Sequence, residues 1–123
     1  MKNHRQEFGK SSEEIATRFL KKKGYKILER NYRTRIGEID IIARDKQTIA
    51  FVEVKARKSN QYGNPKWAVT PKKQKTISMV ALQYLKSSNR IDSKARFDVV
   101  SIQSLDQAPE IELIRNAFDL AYG

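Results

Sequence analysis

The sequence has no cysteine and one histidine, His4. Without cysteine there is no disulfide framework and no thiolate-held zinc. A lone histidine in a polar N-terminal stretch argues against Ser-His or Cys-His nucleophilic catalysis. Long apolar runs are also missing. MKNHRQEFGK carries no apolar segment of the kind that leads secretion, and no later run approaches membrane-spanning length, so the expectation is a soluble, cytoplasmic chain with no membrane partner. Acidic residues are scarce: 14 against 25 lysines and arginines, giving a formal net charge of +11. Any catalysis must therefore come from a few carboxylates and from lysine.

With 123 residues and 39% hydrophobic content, the chain is the size of one domain with a modest core, residues 1–123, of which about 1–10 read as a flexible stretch. The positive charge points to a polyanion, because lysines and arginines that neutralise phosphates release bound counterions. Nucleic acid is the expected partner, ahead of an anionic membrane surface or an indifferent basic surface.

Ser11 to Lys23 reads as an amphipathic helix, with Ile15, Ala16, Phe19 and Leu20 at helical spacing and Gly24 as a stop. Ser11 and Glu14 have the spacing of a capping box. Glu13 lies near the axis of the stripe holding Ala16 and Leu20, so its carboxylate is expected to face the body of the domain. A short apolar segment, Tyr25 to Leu28, precedes two strands, Gly37 to Arg44 and Thr48 to Arg57. A polar loop then leads to a second helix, Pro71 to Lys86, with Pro71 in its first turn. RFDVVSI (Arg96 to Ile102) reads as a buried strand, and Ile111 to Ile114 as a short last one. The order α, β, β, α, β predicts an α/β fold with a mixed sheet flanked by helices.

The charges of the hairpin need explaining. Alternation puts Ile39, Ile41 and Ala43 on one face and Glu38, Asp40 and Ile42 on the other, while Val52 and Val54 oppose Phe51, Glu53 and Lys55. The prediction is one apolar face and one charged face. A two-residue turn at Lys46-Gln47 pairs Asp45 with Thr48, and counting back sets Asp40 opposite Glu53, with Cβ atoms ~4.5–5.5 Å apart. Two such carboxylates repel unless a cation lies between them, and magnesium is commonly held by one or two carboxylates together with water and phosphate. Lys55 emerges on the same face, where it can orient an attacking water or stabilise charge on a phosphate. The alternative is a solvated strand face on which Lys55 neutralises Asp40 or Glu53.

These residues resemble the YraN-type bacterial proteins, an uncharacterised family similar in its core to Holliday-junction resolvases and other restriction-endonuclease-like PD-(D/E)XK proteins. The resemblance rests on Glu13 with Ala16, Leu20 and Gly24-Tyr25, on GEIDIIARD and FVEVKAR at this spacing, and on Tyr62-Gly63, Lys73-Gln74, RFDVV and Ala117-Phe118. Ser12 and Lys46 stand where the family tends to have glycine. The resemblance implies a restriction-endonuclease-like mixed sheet, with Asp40 and Glu53 as ligands of Mg2+ or Mn2+, the Val54 carbonyl as a further ligand, Lys55 as the catalytic lysine, and Glu13 as a helix-borne acidic ligand.

Glu38 shares the charged face, either behind the metal ligands or in an ion pair. Gln74 either reaches the site or lies on the surface. Asp98 reads as a buried partner for Arg96 or for a backbone amide. Arg33, Arg35, Arg57, Lys58, Lys66, Lys72, Lys73 and Lys75 flank the site in sequence and suit a phosphate-tracking surface, with Tyr62 and Trp67 available to stack on bases. The expected function is metal-dependent hydrolysis of DNA phosphodiesters, in branched DNA during repair or recombination, with a homodimer as a fitting assembly. The alternative is a non-catalytic nucleic-acid-binding module of the same fold.

Overall fold

A computed structural model describes residues 4–57, 69–103 and 110–120, with side chains from residue 12 onward. Helix α1 (His4–Lys22) leads into β1 (Lys26–Arg33), β2 (Glu38–Asp45) and β3 (Thr48–Arg57); helix α2 (Pro71–Ser87) follows, then β4 (Lys94–Gln103) and β5 (Glu110–Phe118). The five strands form one sheet in the order β1-β2-β3-β4-β5. Only β3 and β4 run parallel. Parallel neighbours need a crossover, and α2 supplies it. The architecture is the expected α/β one, a mixed sheet with helices, of restriction-endonuclease-like form. No helix among the described residues is long and apolar enough to cross a membrane.

Helix α1 begins at His4 and not at Ser11. Arg5, Gln6 and Glu7 are good helix formers and no proline intervenes, so the stretch expected to be flexible continues the helix from residue 4. Ser11 is then internal and does not cap. The other end stops as expected. Gly24 has φ 94, its N–H donates to the Lys21 carbonyl, and Tyr25 N–H donates to the Leu20 carbonyl, both at 3.0 Å. This closure is a Schellman motif, and it turns the chain so that Tyr25 enters the core.

Both sheet faces are covered, which corrects the expectation of one apolar and one charged face. Against α2 lie Ile39, Ile42, Ile49, Phe51, Phe97 and Val99. On the other face Ile41, Ala43, Ala50, Val52, Val100 and Ile102 pack with Ala16 and Leu20 of α1. Ile39 therefore does not share a face with Ile41 and Ala43: alternation breaks at Asp40, where regular pairing with β3 also ends. Gly37 lies against α2 as well. A Cβ there would come 2.6 Å from the Thr76 methyl, so glycine is what lets the β1–β2 turn rest on the helix.

On the α1 face one polar cluster is built on a fully buried carboxylate. Asp98, 0% exposed, accepts hydrogen bonds from Tyr25 Oη (3.1 Å), Arg96 Nε (3.0 Å) and the Asn116 N–H (3.0 Å). Arg96 Nη2 also donates to Tyr25 Oη and to Asp45 Oδ2. Asp98 thus has both partners the sequence suggested, Arg96 and a backbone amide. Removing it would strand an arginine, a phenol and an N–H at once. Asp98→Ala should cost about 3–5 kcal/mol, and Tyr25→Phe about 1–2 kcal/mol, measured by urea denaturation. A loss under about 1 kcal/mol in Asp98→Ala would show that the cluster is not holding α1, β4 and β5 together.

Candidate active site

The β2–β3 hairpin has the register read from its sequence. Asp45 pairs with Thr48, and the ladder continues to Ile41 opposite Val52. Lys46 turns the corner in the left-handed region at φ 57, the conformation a glycine would adopt most easily. One step beyond the ladder, Asp40 and Glu53 fall opposite each other. There the carboxylate takes over from the backbone, since Asp40 Oδ2 accepts the Val54 N–H at 2.8 Å.

Glu53 is 5% exposed. Alternation along β3 points it to the α2 side, one position on from Val52 on the α1 side. Helix α2 begins above this end of the sheet. Thr70 caps it by accepting the Lys73 N–H at 3.2 Å, and Pro71 occupies its first turn. Gln74 Nε2 donates to the Val69 carbonyl at 2.9 Å. Gln74 thus braces the entry to the helix and makes no bond to the carboxylates. The result is a fixed starting point for the Lys73 side chain, whose Nζ donates to Glu53 Oε1 in an ion pair. Lys55 Nζ stands 3.8 Å from the same oxygen.

The titration behaviour of this cluster follows from its crowding. Burial first, and then the neighbouring Glu53 carboxylate, push the pKa of Asp40 up from 3.8 to about 6, although the Val54 N–H and Lys73 pull the other way. Lys55 is lowered, by burial and by the adjacent Lys73 ammonium. Burial also opposes the charge on Lys73, but its bond to Glu53 outweighs that and holds its pKa above the ordinary lysine value. Two acids and two amines thus share a space too small for full solvation of each charge.

Other residues named from the sequence lie elsewhere. Glu13 is half-buried on α1, and α1 covers the face of Val52 and Val54, opposite to that of Glu53. Among the described residues no three acidic or histidine side chains gather closely enough to hold a metal alone, so Glu13 does not join Asp40 and Glu53. Glu38 pairs with Arg33 at 3.1 Å, both exposed, which makes it an ion-pair residue. Arg35, Lys72 and Lys75 are exposed, and Arg57 is half-buried two residues beyond Lys55. Lys58, Tyr62, Lys66 and Trp67 lie outside the described residues. Lys73, expected only to track phosphate, is part of the site. The sign that points to it is topological: a crossover helix starts over the carboxyl end of the strand it follows.

Residues 12–102 match the model of the uncharacterised protein family UPF0102. The chain is 56% identical over 119 residues to a UPF0102 protein of Desulfosudis oleivorans, covering 97% of this chain and 95% of that one. It is 52% identical over 122 residues to a UPF0102 protein of Geobacter metallireducens, covering 99% and 100%. A third relative, from Syntrophus aciditrophicus, is 55% identical over 116 residues, covering 94% and 91%. The matched segment holds α1 from Ser12, the hairpin with Asp40, Glu53 and Lys55, and α2 with Lys73, so the YraN-type resemblance extends over the fold and its charged site: the chain belongs to the uncharacterised protein family UPF0102.

Proposed function

We propose that this protein is a divalent-metal-dependent endonuclease that hydrolyses DNA phosphodiester bonds, with branched DNA in repair or recombination as its substrate and the cytoplasm as its setting. The observation that carries this reading is the Asp40–Glu53 pair at the end of the hairpin ladder, with Lys55 beside it. Burial, and then the like charge of Glu53, raise the pKa of Asp40 to about 6, and a bound cation offsets both. The donor set suits Mg2+ or Mn2+, which prefer oxygen and accept one or two carboxylates completed by water and phosphate. Asp40 and Glu53 would hold the ion, with the Val54 carbonyl as a further ligand. When bound, it supplies positive charge at the phosphate and a more acidic water.

The chain's own residues do the rest. Lys55, pushed toward its neutral form by burial and by Lys73, is the amine suited to accept a hydrogen bond or proton from the attacking water. Arg33, Arg35, Lys72 and Lys75 are exposed on the β1–β2 turn and on α2, where they position a phosphate backbone without reading its sequence. A homodimer would let two such sites cut two strands.

A second reading also has an observation in its favour. Glu53 is already neutralised by Lys73, as in a non-catalytic nucleic-acid-binding module whose acids are purely structural.

Two measurements decide between them, and a third maps the binding surface. Folded Asp40 takes up its proton near 6 and an unfolded aspartate near 3.8. The folded state therefore binds more protons in that window, and stability falls as pH rises through it. Asp40→Asn should then stabilise the metal-free protein by about 1–2 kcal/mol above about pH 7 and change little below about pH 4, while abolishing the rise in melting temperature that Mg2+ gives the wild type. A less stable Asp40→Asn at neutral pH, or an intact Mg2+ response, would mark the pair as an ordinary strand face.

Purified protein should cut labelled junction and flap DNA faster than plain duplex in Mg2+ or Mn2+, and not in chelator. Glu53→Gln and Lys55→Ala should lose at least about 100-fold in rate while keeping most of the binding. Binding by wild type and Lys55→Ala with no cleavage of any DNA or RNA establishes the binding module.

In titrations on duplex DNA at several salt concentrations, Lys72→Ala with Lys75→Ala should lower the log–log salt slope by about one per lost contact. An unchanged slope removes this turn of α2 from the footprint.

A further inference from the structure

One of the two carboxylate oxygens of Glu53 is already occupied. Lys73 Nζ donates to Oε1 in an ion pair, and Lys55 Nζ lies 3.8 Å from the same atom. The Glu53 side chain is only 6% exposed, so water cannot readily stand in for whatever cation leaves it. An ammonium held on this buried carboxylate repels a dication that enters beside it, and in a poorly solvated site that repulsion is several-fold stronger than in water. It is relieved when one of the two cations moves away.

The two lysines differ in their freedom to do so. Lys55 rises from the middle of the sheet, where β3 is paired in parallel with β4, and its side chain is 27% exposed. Lys73 reaches in from the first turn of α2, and its side chain is 42% exposed. Its backbone is pinned by Thr70, but its four-carbon stem can rotate outward without disturbing a strand.

We propose that Lys73 is an exchangeable internal counterion: it occupies the cation position of Glu53 in the metal-free protein, and an entering divalent ion displaces it toward the exposed surface of α2. This rests on the metal-site reading given above and adds its regulation. Metal loading then exchanges one cation for another, and the ammonium it releases turns toward the side from which phosphate approaches. The apo site stays electrically balanced on Glu53, and metal affinity carries the cost of breaking the Lys73 pair.

The test is Mn2+ binding to DNA-free protein, followed by calorimetry and by the loss of the free Mn2+ spin-resonance signal at constant ionic strength. Lys73→Met removes the competing ammonium while keeping most of the stem, and should bind Mn2+ on the order of tenfold tighter, equivalent to about 1.4 kcal/mol of competition removed. Lys73→Arg, whose guanidinium fork grips a carboxylate more firmly, should bind more weakly than wild type. Lys86→Met loses the same charge from an exposed position in the last turn of the same helix and should stay within about twofold of wild type. Equal or weaker binding by Lys73→Met overturns the exchange, as does equal tightening by Lys86→Met, which would be a bulk charge effect. Failure of wild type to bind Mn2+, or binding that survives both Asp40→Asn and Glu53→Gln, overturns the metal site itself and the exchange with it.

Discussion

The parallel pairing of β3 with β4 is the constraint on which the rest of this molecule depends. Ten residues of each strand run side by side, from Thr48 beside Lys94 to Arg57 beside Gln103. Strands joined this way cannot be linked by a tight turn, so the chain must leave the end of β3, cross one face and return. Helix α2 makes that return, and its first turn stands over the end of the sheet where Glu53 and Lys55 emerge. Had β4 joined β3 as a hairpin, Lys73 would have had no means of reaching Glu53. The same pairing puts β3 in the middle of the sheet. Glu53, on its buried α2 side, then depends on side chains for its solvation.

Much of this was legible in the sequence, and the parts that were not share a cause. The hairpin register could be counted because Lys46-Gln47 is the one place where strand-forming residues are interrupted, and Asp45 does pair with Thr48. Gly24 and Pro71 announce helix ends through backbone chemistry that acts locally. β1 was harder to see because an edge strand is allowed to be charged. Lys26, Glu29, Arg30 and Arg33 hide its period, and Asn31 departs to φ 53 within it. The facing of Ile39 was misjudged since alternation assumes an unbroken strand, and the break is at Asp40, the residue with the strongest claim to a chemical role. Glu13 was placed correctly on its helix, but the side of the sheet that the helix covers is decided by tertiary packing. Lys73 stood out with Gln74 in the family resemblance, but nothing local joins it to Glu53, because only the crossover brings the two together.

Two charged clusters lie on opposite faces of this sheet, and they differ in how well their charges are matched. Around Asp98 the charges are matched: Tyr25, Arg96 and Asn116 converge on one carboxylate, and Arg96 reaches on to Asp45, whose pKa its hydrogen bond lowers. Such a network holds elements together and leaves nothing to bind. Around Asp40 the balance fails. One acid is pushed up to about 6 by burial and by its neighbour, and one amine is pushed down. Departure from local consistency of this kind is what a site retains when its own charges are meant for something that arrives later.

The choice of lysine, twice, fits that interpretation. An arginine at either position would grip Glu53 through a planar fork and remain charged under all conditions, giving a more permanent pair. Lysine is a point charge on a flexible stem, with a pKa that responds to burial. At position 55 the sheet interior pushes the amine toward its neutral form. At position 73 the flexible stem lets an ammonium carried on a helix reach Glu53. The two residues bear on one oxygen from different elements, strand and crossover helix. The pairing of β3 with β4 thus sets two amines of different freedom against one carboxylate, and that difference is what the proposed exchange rests on.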